Sequence, residues 1–150
     1  MAVTMDDVRR VLSPDELDYA EAVRLGSEAL PYLETLVRER HTQLATKATY
    51  LASLIPGERA IPILKEAASS RNADIRVAAA GSARNLPYEE AGKILVSLLA
   101  DHDIGVRKVA LMSVPSPIPT ELRPYIARLA RSDSALAIRE LAQKLLDRSS

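Results

Sequence analysis

Apolar residues recur along the chain in short blocks that lie about 31 residues apart. In each block an apolar residue is followed four positions later by alanine, and the blocks begin at Leu44, Ile75, Val106 and Ile138. A second set of apolar positions precedes each block, with proline in phase at positions 31, 62 and 124. A fixed period of 20 to 50 residues is typical of repeat architectures. The pattern therefore predicts four tandem repeats.

Each repeat has the spacing of two helices. Asn72 is a plausible N-cap, and Ile75, Ala79, Ser82 and Leu86 follow it at i, i+4, i+7 and i+11. The in-phase prolines fall in the first turn of each first helix, where amide protons have no intrahelical partner. We expect one all-α domain over residues 1–150, with repeats at 27–56, 57–86, 87–114 and 119–148. The prolines of the segment 114–119 should end the preceding helix at about Ser113.

The residues before the first repeat predict an N-terminal helical cap over 1–26. Residues 5–12 have the pattern of a short helix. Ser13-Pro14-Asp15-Glu16 predicts a second helix start, with a cap residue, a proline at the first position and acids at the positive end of the dipole. That helix should stop at Gly26. Solenoids need such caps to cover the apolar face of a terminal repeat.

The repeat blocks resemble HEAT repeats of the short, thirty-residue variety. The resemblance rests on the pairs Ile75-Arg76, Val106-Arg107 and Ile138-Arg139, with Ala79, Ala110 and Ala142 following them. The first repeat departs from it, with Leu44-Ala45 at the same place. The resemblance implies a right-handed α-solenoid that binds other macromolecules. It also implies two kinds of relatives, lyases for bilin attachment and larger proteins that bind DNA or excise damaged bases.

The outward face of the second helices is unusually apolar in the middle repeats. The resemblance implies that second helices line a concave surface, so this face would form a groove. Its expected floor is Tyr50, Val77, Ala80, Leu111 and Met112, and its expected rim is Arg84, Lys108 and Lys144. Such a groove would bind another protein, a peptide or a second copy of the chain. The alternative is that these side chains lie under neighbouring helices.

Three arginines, Arg76, Arg107 and Arg139, occupy the same motif position, and we call them the arginine ladder. At about 10 Å between repeats these cations could follow a phosphate backbone. We favour a structural role, in which each pairs with a turn acid such as Asp74, Asp103 or Asp133. The 20 Lys and Arg balance 20 Asp and Glu, whereas nucleic-acid binders are usually basic.

The remaining composition gives no catalytic or metal centre. The chain has no cysteine, which excludes disulfides, thiolate nucleophiles and zinc–thiolate sites. Its two histidines, His41 and His102, lie two repeats apart, about 20 Å by helix-packing distance. We find no nucleophile–base pairing and no phosphate loop. We therefore expect no metal, no cofactor and no enzymatic activity.

These observations lead to one ranked set of functional predictions. The first is a non-enzymatic protein-interaction scaffold or adaptor that uses the concave face of its second helices. The alternative is nucleic-acid binding through the arginine ladder, and a cofactor-binding or lyase-like protein ranks last. No segment reaches the length of a membrane span, and the start MAVTMDDVRR lacks a secretory core. We therefore expect a cytoplasmic protein without membrane contact.

Overall fold

A computed structural model describes residues 2–39 and 42–149 of the protein, so the predictions that concern His41 lie outside the described residues. Ten α-helices and no strand occur in the described part of the chain. Their bounds are α1 Met5–Leu12, α2 Tyr19–Ala22, α3 Leu30–Arg38, α4 Thr42–Leu54, α5 Ile61–Ala68, α6 Ala73–Ser82, α7 Tyr88–Leu99, α8 Ile104–Met112, α9 Arg123–Ser132 and α10 Leu136–Arg148.

The helices stack as antiparallel pairs, α3 with α4, α5 with α6, α7 with α8 and α9 with α10, and α1 packs against the first pair. Leucine and isoleucine at the repeat positions form one continuous core, which includes Leu33, Leu64, Leu95 and Ile126. We number motif positions from the first apolar residue of each block, such as Ile75, which is position zero. The alanine at the fourth position, such as Ala79 or Ala110, is fully buried where neighbouring helices approach. The prediction of an all-α solenoid of four helix pairs with an N-terminal helical cap is confirmed.

Local signals place most helix ends where the sequence predicts them. Pro31, Pro62 and Pro124 are each the second residue of their helix, and a single 3₁₀ turn precedes each helix. Asn72 caps α6, because its side-chain oxygen accepts a hydrogen bond from the backbone N–H of Asp74 at 2.8 Å. The α6 helix ends at Ser82, however, and a 3₁₀ turn over 83–85 brings the chain to Leu86.

The helix start predicted at Ser13 is wrong. Residues 13–18 form a loop, and α2 begins only at Tyr19, with the Asp18 side chain as its cap. The ammonium group of Lys47 explains this, since it donates to the carbonyls of Leu12 at 3.0 Å and Pro14 at 2.9 Å. A tertiary contact thus holds the loop backbone outside a helix. Gly26, with φ of 70°, ends the cap as expected.

The stack is curved, with the second helices on its inner side. Successive second helices, α4 with α6 and α6 with α8, pack against each other more extensively than successive first helices do. Elements on the inner side of a curved stack lie closer together, so α4, α6, α8 and α10 line the concave face. No helix within 2–39 and 42–149 has the length and apolar character needed to cross a membrane.

Candidate functional site on the second-helix face

A pocket of about 330 Å³ opens on the concave face between α8 and α10. Its floor is apolar and its rim carries two cations. The lining residues are Leu111, Met112, Val114, Leu141, Lys144, Leu145 and Arg148. This combination suits a ligand that has an apolar body and negatively charged substituents.

Helical spacing explains how the sequence assembles this pocket. In α10, Lys144 and Arg148 are four residues apart and lie on one side of the helix, beside Leu141 and Leu145. Both cations are exposed, and neither has an ion-pair partner among the described residues. Met112 ends α8 and is 52 % exposed. An exposed methionine next to two unpaired cations is free to contact a ligand.

The pocket brings together three of the residues that the sequence predicts for the groove, Leu111, Met112 and Lys144. The other predicted residues lie outside it, although Arg84 and Lys108 are exposed and Val77 is partly exposed. The prediction missed Val114, Leu141, Leu145 and Arg148. The i, i+4, i+7 spacing of Leu141, Leu145 and Arg148 could have shown three of these four, because it places them on one face of α10, whereas Val114 lies just after α8.

Two residues predicted for the exposed floor are buried. Ala80 is fully buried and Leu111 is 2 % exposed. Both occupy the fifth motif position, which packs beneath the next second helix, as does the fully buried Thr49 of the first repeat. Leu111 therefore forms the base of the pocket, and Ala80 does not reach the surface.

Tyr50 lies at the opposite end of the concave face. It is 36 % exposed, and its ring meets Tyr19 of the cap edge to face at a centroid distance of 4.8 Å. Burial raises the pKa of Tyr19, and the Tyr50 hydroxyl adds to this effect. Tyr50 therefore anchors the cap and takes no part in the pocket of α8 and α10.

The arginine ladder joins neighbouring repeats through ion pairs. Arg76 Nε lies 2.8 Å from Asp101 Oδ2, and Arg107 Nε lies 2.7 Å from Asp133 Oδ2. In both pairs a second guanidinium nitrogen donates to the other carboxylate oxygen, so the contacts are bidentate. The side chains of Arg76 and Asp101 are each 8 % exposed. Guanidinium groups that are buried and paired in this way are not available to phosphates.

Each ladder arginine also donates to the backbone of its own turn, six residues earlier in the chain. Arg76 donates to the carbonyl of Ser70 and Arg107 to the carbonyl of Asp101. Arg139 donates to the Asp133 carbonyl. The structure thus agrees with Asp133 as a partner but not with Asp74 or Asp103, since Asp103 instead caps α8 through the N–H of Val106.

The two acceptor carboxyls are held in their charged form. Burial alone would raise the pKa of Asp101, but hydrogen bonds from Arg76 and from the N–H of Asp103 outweigh it and lower that pKa. Burial would likewise raise the pKa of Asp133, but hydrogen bonds from Arg107 and from the N–H of Ala135 outweigh burial and lower that pKa. Both ion pairs therefore persist at neutral pH.

A larger cavity, about 760 Å³, lies at the edge of the stack between the first and second repeats. It is lined by Val37, Arg38, Glu39, Glu66, Ser69, Ser70, Arg71, Asn72 and Ile75. The matching cavity between the third and fourth repeats measures about 340 Å³. No group of three or more histidine, aspartate or glutamate side chains in the described residues has a metal-binding arrangement.

Comparison with known proteins shows a similarity of fold to a solved structure. No model of a known protein family matches the chain, and no curated protein does. A chain in the solved complex of CpcE and CpcF of phycocyanin lyase from Nostoc sp. PCC7120 matches with a TM-score of 0.73 and 18 % sequence identity. The match covers 95 % of this chain and 97 % of that chain. It shows that this chain has the fold of a HEAT-like helical-repeat protein.

This similarity corrects two of the functional predictions. The ranking that put a non-enzymatic adaptor first and a lyase-like protein last is wrong, because the matching chain comes from a lyase. The expectation of no enzymatic activity is wrong for the same reason. The structure also gives no support to the alternative of nucleic-acid binding through the arginine ladder, because Arg76 and Arg107 form buried ion pairs with aspartates.

Proposed function

We propose that this chain is a HEAT-like repeat protein that acts as one chain of a bilin lyase. Such an enzyme makes or breaks the bond between an open-chain tetrapyrrole and a cysteine of its carrier protein. The observation that carries the proposal is the end-to-end similarity of fold to a chain of the phycocyanin lyase complex. The cytoplasmic location expected from the sequence is part of this proposal.

The pocket between α8 and α10 is the proposed bilin contact. Its floor, formed by Met112, Leu141 and Leu145, offers apolar surface to the pyrrole rings. Bilins carry two propionate side chains, and the two exposed cations Lys144 and Arg148 are placed to pair with them. Hydrogen bonds between charged partners are about twice as strong as neutral ones, so these cations would orient the ligand.

The chemistry of attachment assigns a limited role to this chain. A thiol adds across a carbon–carbon double bond of the bilin, so that a carbon–sulfur bond forms and the proton goes to the neighbouring carbon. This chain has no cysteine, so the thiol belongs to the carrier protein. No carboxylate or histidine of the described residues lines the pocket. This chain would therefore bind and orient the bilin, and another protein would supply the acid or base.

A second protein chain is a natural part of the proposal. The pocket volume of about 330 Å³ is at the low end of the range for sites that enclose small ligands. A four-ring bilin placed there would be covered only in part. We propose that a second helical-repeat chain closes the site, as the neighbour consists of two chains, CpcE and CpcF.

The first test measures bilin binding directly. Biliverdin is added to the purified protein, and visible absorbance and induced circular dichroism are recorded during the titration. We expect a saturable signal that weakens about tenfold or more in the double variant Lys144→Gln, Arg148→Gln, because each charge-assisted hydrogen bond contributes about 1.5–3 kcal/mol. Met112→Glu should also weaken binding, since it adds a carboxylate beside the propionates.

Two matched controls make the result specific. Lys93→Gln removes an exposed cation on α7, away from the pocket, and should leave binding unchanged. The dimethyl ester of biliverdin lacks the propionate charges, so it should bind the wild type and the double variant equally. A wild-type protein that gives no induced signal, or that binds acid and ester alike, contradicts the assigned site.

A second test addresses the reaction itself. The protein is incubated with bilin and a phycocyanin subunit that lacks its chromophore, alone and together with a second helical-repeat lyase chain. Covalent attachment is scored by bilin fluorescence on a denaturing gel. Attachment that requires both chains supports the proposal, and attachment that is independent of this chain refutes it.

A further inference from the structure

The charges of this neutral protein are separated along the solenoid. Residues 2–39 contain nine Asp and Glu but only four Arg, whereas residues 104–149 contain eight Arg and Lys but only four Asp and Glu. The first region therefore has a formal charge of −5 and the last a formal charge of +4. Because the repeats stack in chain order, one end of the stack is acidic and the other is basic.

The acidic end exposes three carboxylates that form no ion pair among the described residues. Asp6 projects from α1, and Asp15 and Glu16 lie in the loop between α1 and α2. All three are exposed, and none has an ion-pair partner in the described residues. They are therefore available to an external cation.

At the basic end, the last arginine of the ladder has no carboxylate acceptor among the described residues. Arg76 and Arg107 each reach a carboxylate of the following repeat. Arg139 donates only to the carbonyl of Asp133 in its own turn, and no carboxylate side chain within residues 2–39 and 42–149 accepts from it. Arg128 and Arg131, in the last turns of α9, are exposed close to the same turn.

The outer surface of α10 is polar and open. At the fifth motif position Thr49, Ala80 and Leu111 are buried beneath the next helix, whereas Gln143 is exposed and donates to Asp147 at 2.9 Å. Leu136, which is 60 % exposed, is the one large apolar side chain of α10 that the described structure leaves exposed. A partner on it would be held by charge more than by apolar burial.

We propose that the basic end of one copy of this protein docks on the acidic end of a second copy, head to tail. The complementary charges of the two ends, both present in this one chain, identify the second copy as the partner. The contact depends on exposed charges more than on apolar burial, so the association is weak and reversible. A head-to-tail contact uses two different surfaces, so it adds further copies instead of stopping at a dimer.

The experiment is sedimentation equilibrium of the purified protein over a range of concentrations. At about 0.1 M salt the weight-average mass should rise with concentration beyond that of a dimer. At about 1 M salt the Debye length falls from about 10 Å to about 3 Å, and the association should weaken on the order of tenfold. The variant Arg139→Gln should weaken the association at low salt only.

A charge exchange identifies the two surfaces. Arg128→Glu with Arg131→Glu lowers the charge of residues 104–149 from +4 to 0, and Asp15→Lys with Glu16→Lys raises the charge of residues 2–39 from −5 to −1. Each double variant alone should remain monomeric at low salt, and an equimolar mixture should associate again. These four side chains make no hydrogen bond or ion pair in the described structure, so the fold should be retained, as circular dichroism will check.

The control is Arg59→Glu with Lys65→Glu, which makes the same change in net charge at exposed positions in the middle of the stack. It should associate as the wild type does. A wild type that stays monomeric at low salt overturns the proposal. Association that persists in both double variants, or that does not return on mixing, also overturns it. None of these outcomes depends on bilin binding.

Discussion

The junction between the first two repeats differs from the two junctions that follow it. The later junctions are joined by buried ion pairs, Arg76 with Asp101 and Arg107 with Asp133. At the first junction the corresponding positions, 31 residues earlier, hold Ala45 and Ser70. Both partners of the pair are therefore absent together, and the cavity there is about 760 Å³ against about 340 Å³ at the last junction.

The difference shows that the ion pair behaves as a unit. A buried charge that loses its partner costs far more than the loss of both, so a repeat can lack the pair but not half of it. Ser70 keeps one function of the missing aspartate, since its hydroxyl accepts from the N–H of Asn72 at 3.1 Å, as Asp101 accepts from Asp103 at 2.9 Å. The first two repeats are joined instead by an exposed ion pair, Arg38 Nε with Glu66 Oε1 at 2.7 Å, and by a neutral hydrogen bond from Asn72 to Thr42 at 2.9 Å.

Removal of one acceptor from a later junction should have the largest effect. Asp101→Ala leaves the Arg76 guanidinium buried without a carboxylate, and we expect the free energy of unfolding to fall by about 3 kcal/mol. Urea denaturation followed by circular dichroism measures this change.

Two further variants remove interactions that contribute less to stability than the buried ion pair. Ser70→Ala, at the first junction, removes one neutral acceptor and should cost about 1 kcal/mol. Glu90→Ala breaks the exposed pair with Lys93 and should cost less than about 1 kcal/mol. Equal losses in Asp101→Ala and Ser70→Ala would show that the ion pair does not distinguish the junctions.

Introduction of the pair at the first junction should have the next largest effect. Ala45→Arg alone buries an unpaired guanidinium, so it should destabilise the protein. With Ser70→Asp as well, the new pair should recover a coupling energy of about 1 to 2 kcal/mol. A double-mutant cycle in urea measures the coupling. Additive effects would mean that the first junction lacks the geometry of the later ones.

Acid should weaken the later junctions by a smaller amount. Asp101 and Asp133 have a pKa below the usual 3.8 in the folded protein, so the unfolded chain takes up protons first as pH falls. Their contribution to stability is complete above about pH 5 and is lost as pH falls through their lowered pKa values. Urea midpoints between pH 6 and pH 3 should fall less steeply in Asp101→Asn than in the wild type. Parallel curves would exclude this carboxyl as a source of acid sensitivity.

The sequence predicts the fold well because the features that define each helix pair are short-range patterns in the sequence. The 31-residue period, the early prolines and the Asn72 cap all act within one helix pair, and all are found in the structure. The sequence predicts a helix start at Ser13 instead of the loop over 13–18, because the backbone of this loop is held by Lys47, which lies more than 30 residues away in the chain. No local signal reveals such a contact.

The site was predictable only in part. Met112 and Lys144 belong to the pocket because they lie on the concave side of their helices, which periodicity reveals. Ala80 lies on the same side but is covered by the next helix, and the extent of that cover depends on curvature. The ladder partner Asp101 was missed for a related reason, since it lies in the following repeat. How a side chain lies relative to the next repeat depends on how the repeats stack, and the sequence of a single repeat does not determine that stacking.

The missing pair at the first junction also determines how the protein would respond to force. Arg9 and Glu39 link α1 to the first repeat at 3.3 Å, and the buried pairs link the last three repeats. A load applied along the stack therefore meets a buried ion pair at each of the two later junctions, whereas the first and second repeats are joined only by the exposed pair of Arg38 with Glu66 and by neutral hydrogen bonds. Under tension the protein would part there first, into a segment of cap and first repeat and a segment of three repeats that remain joined.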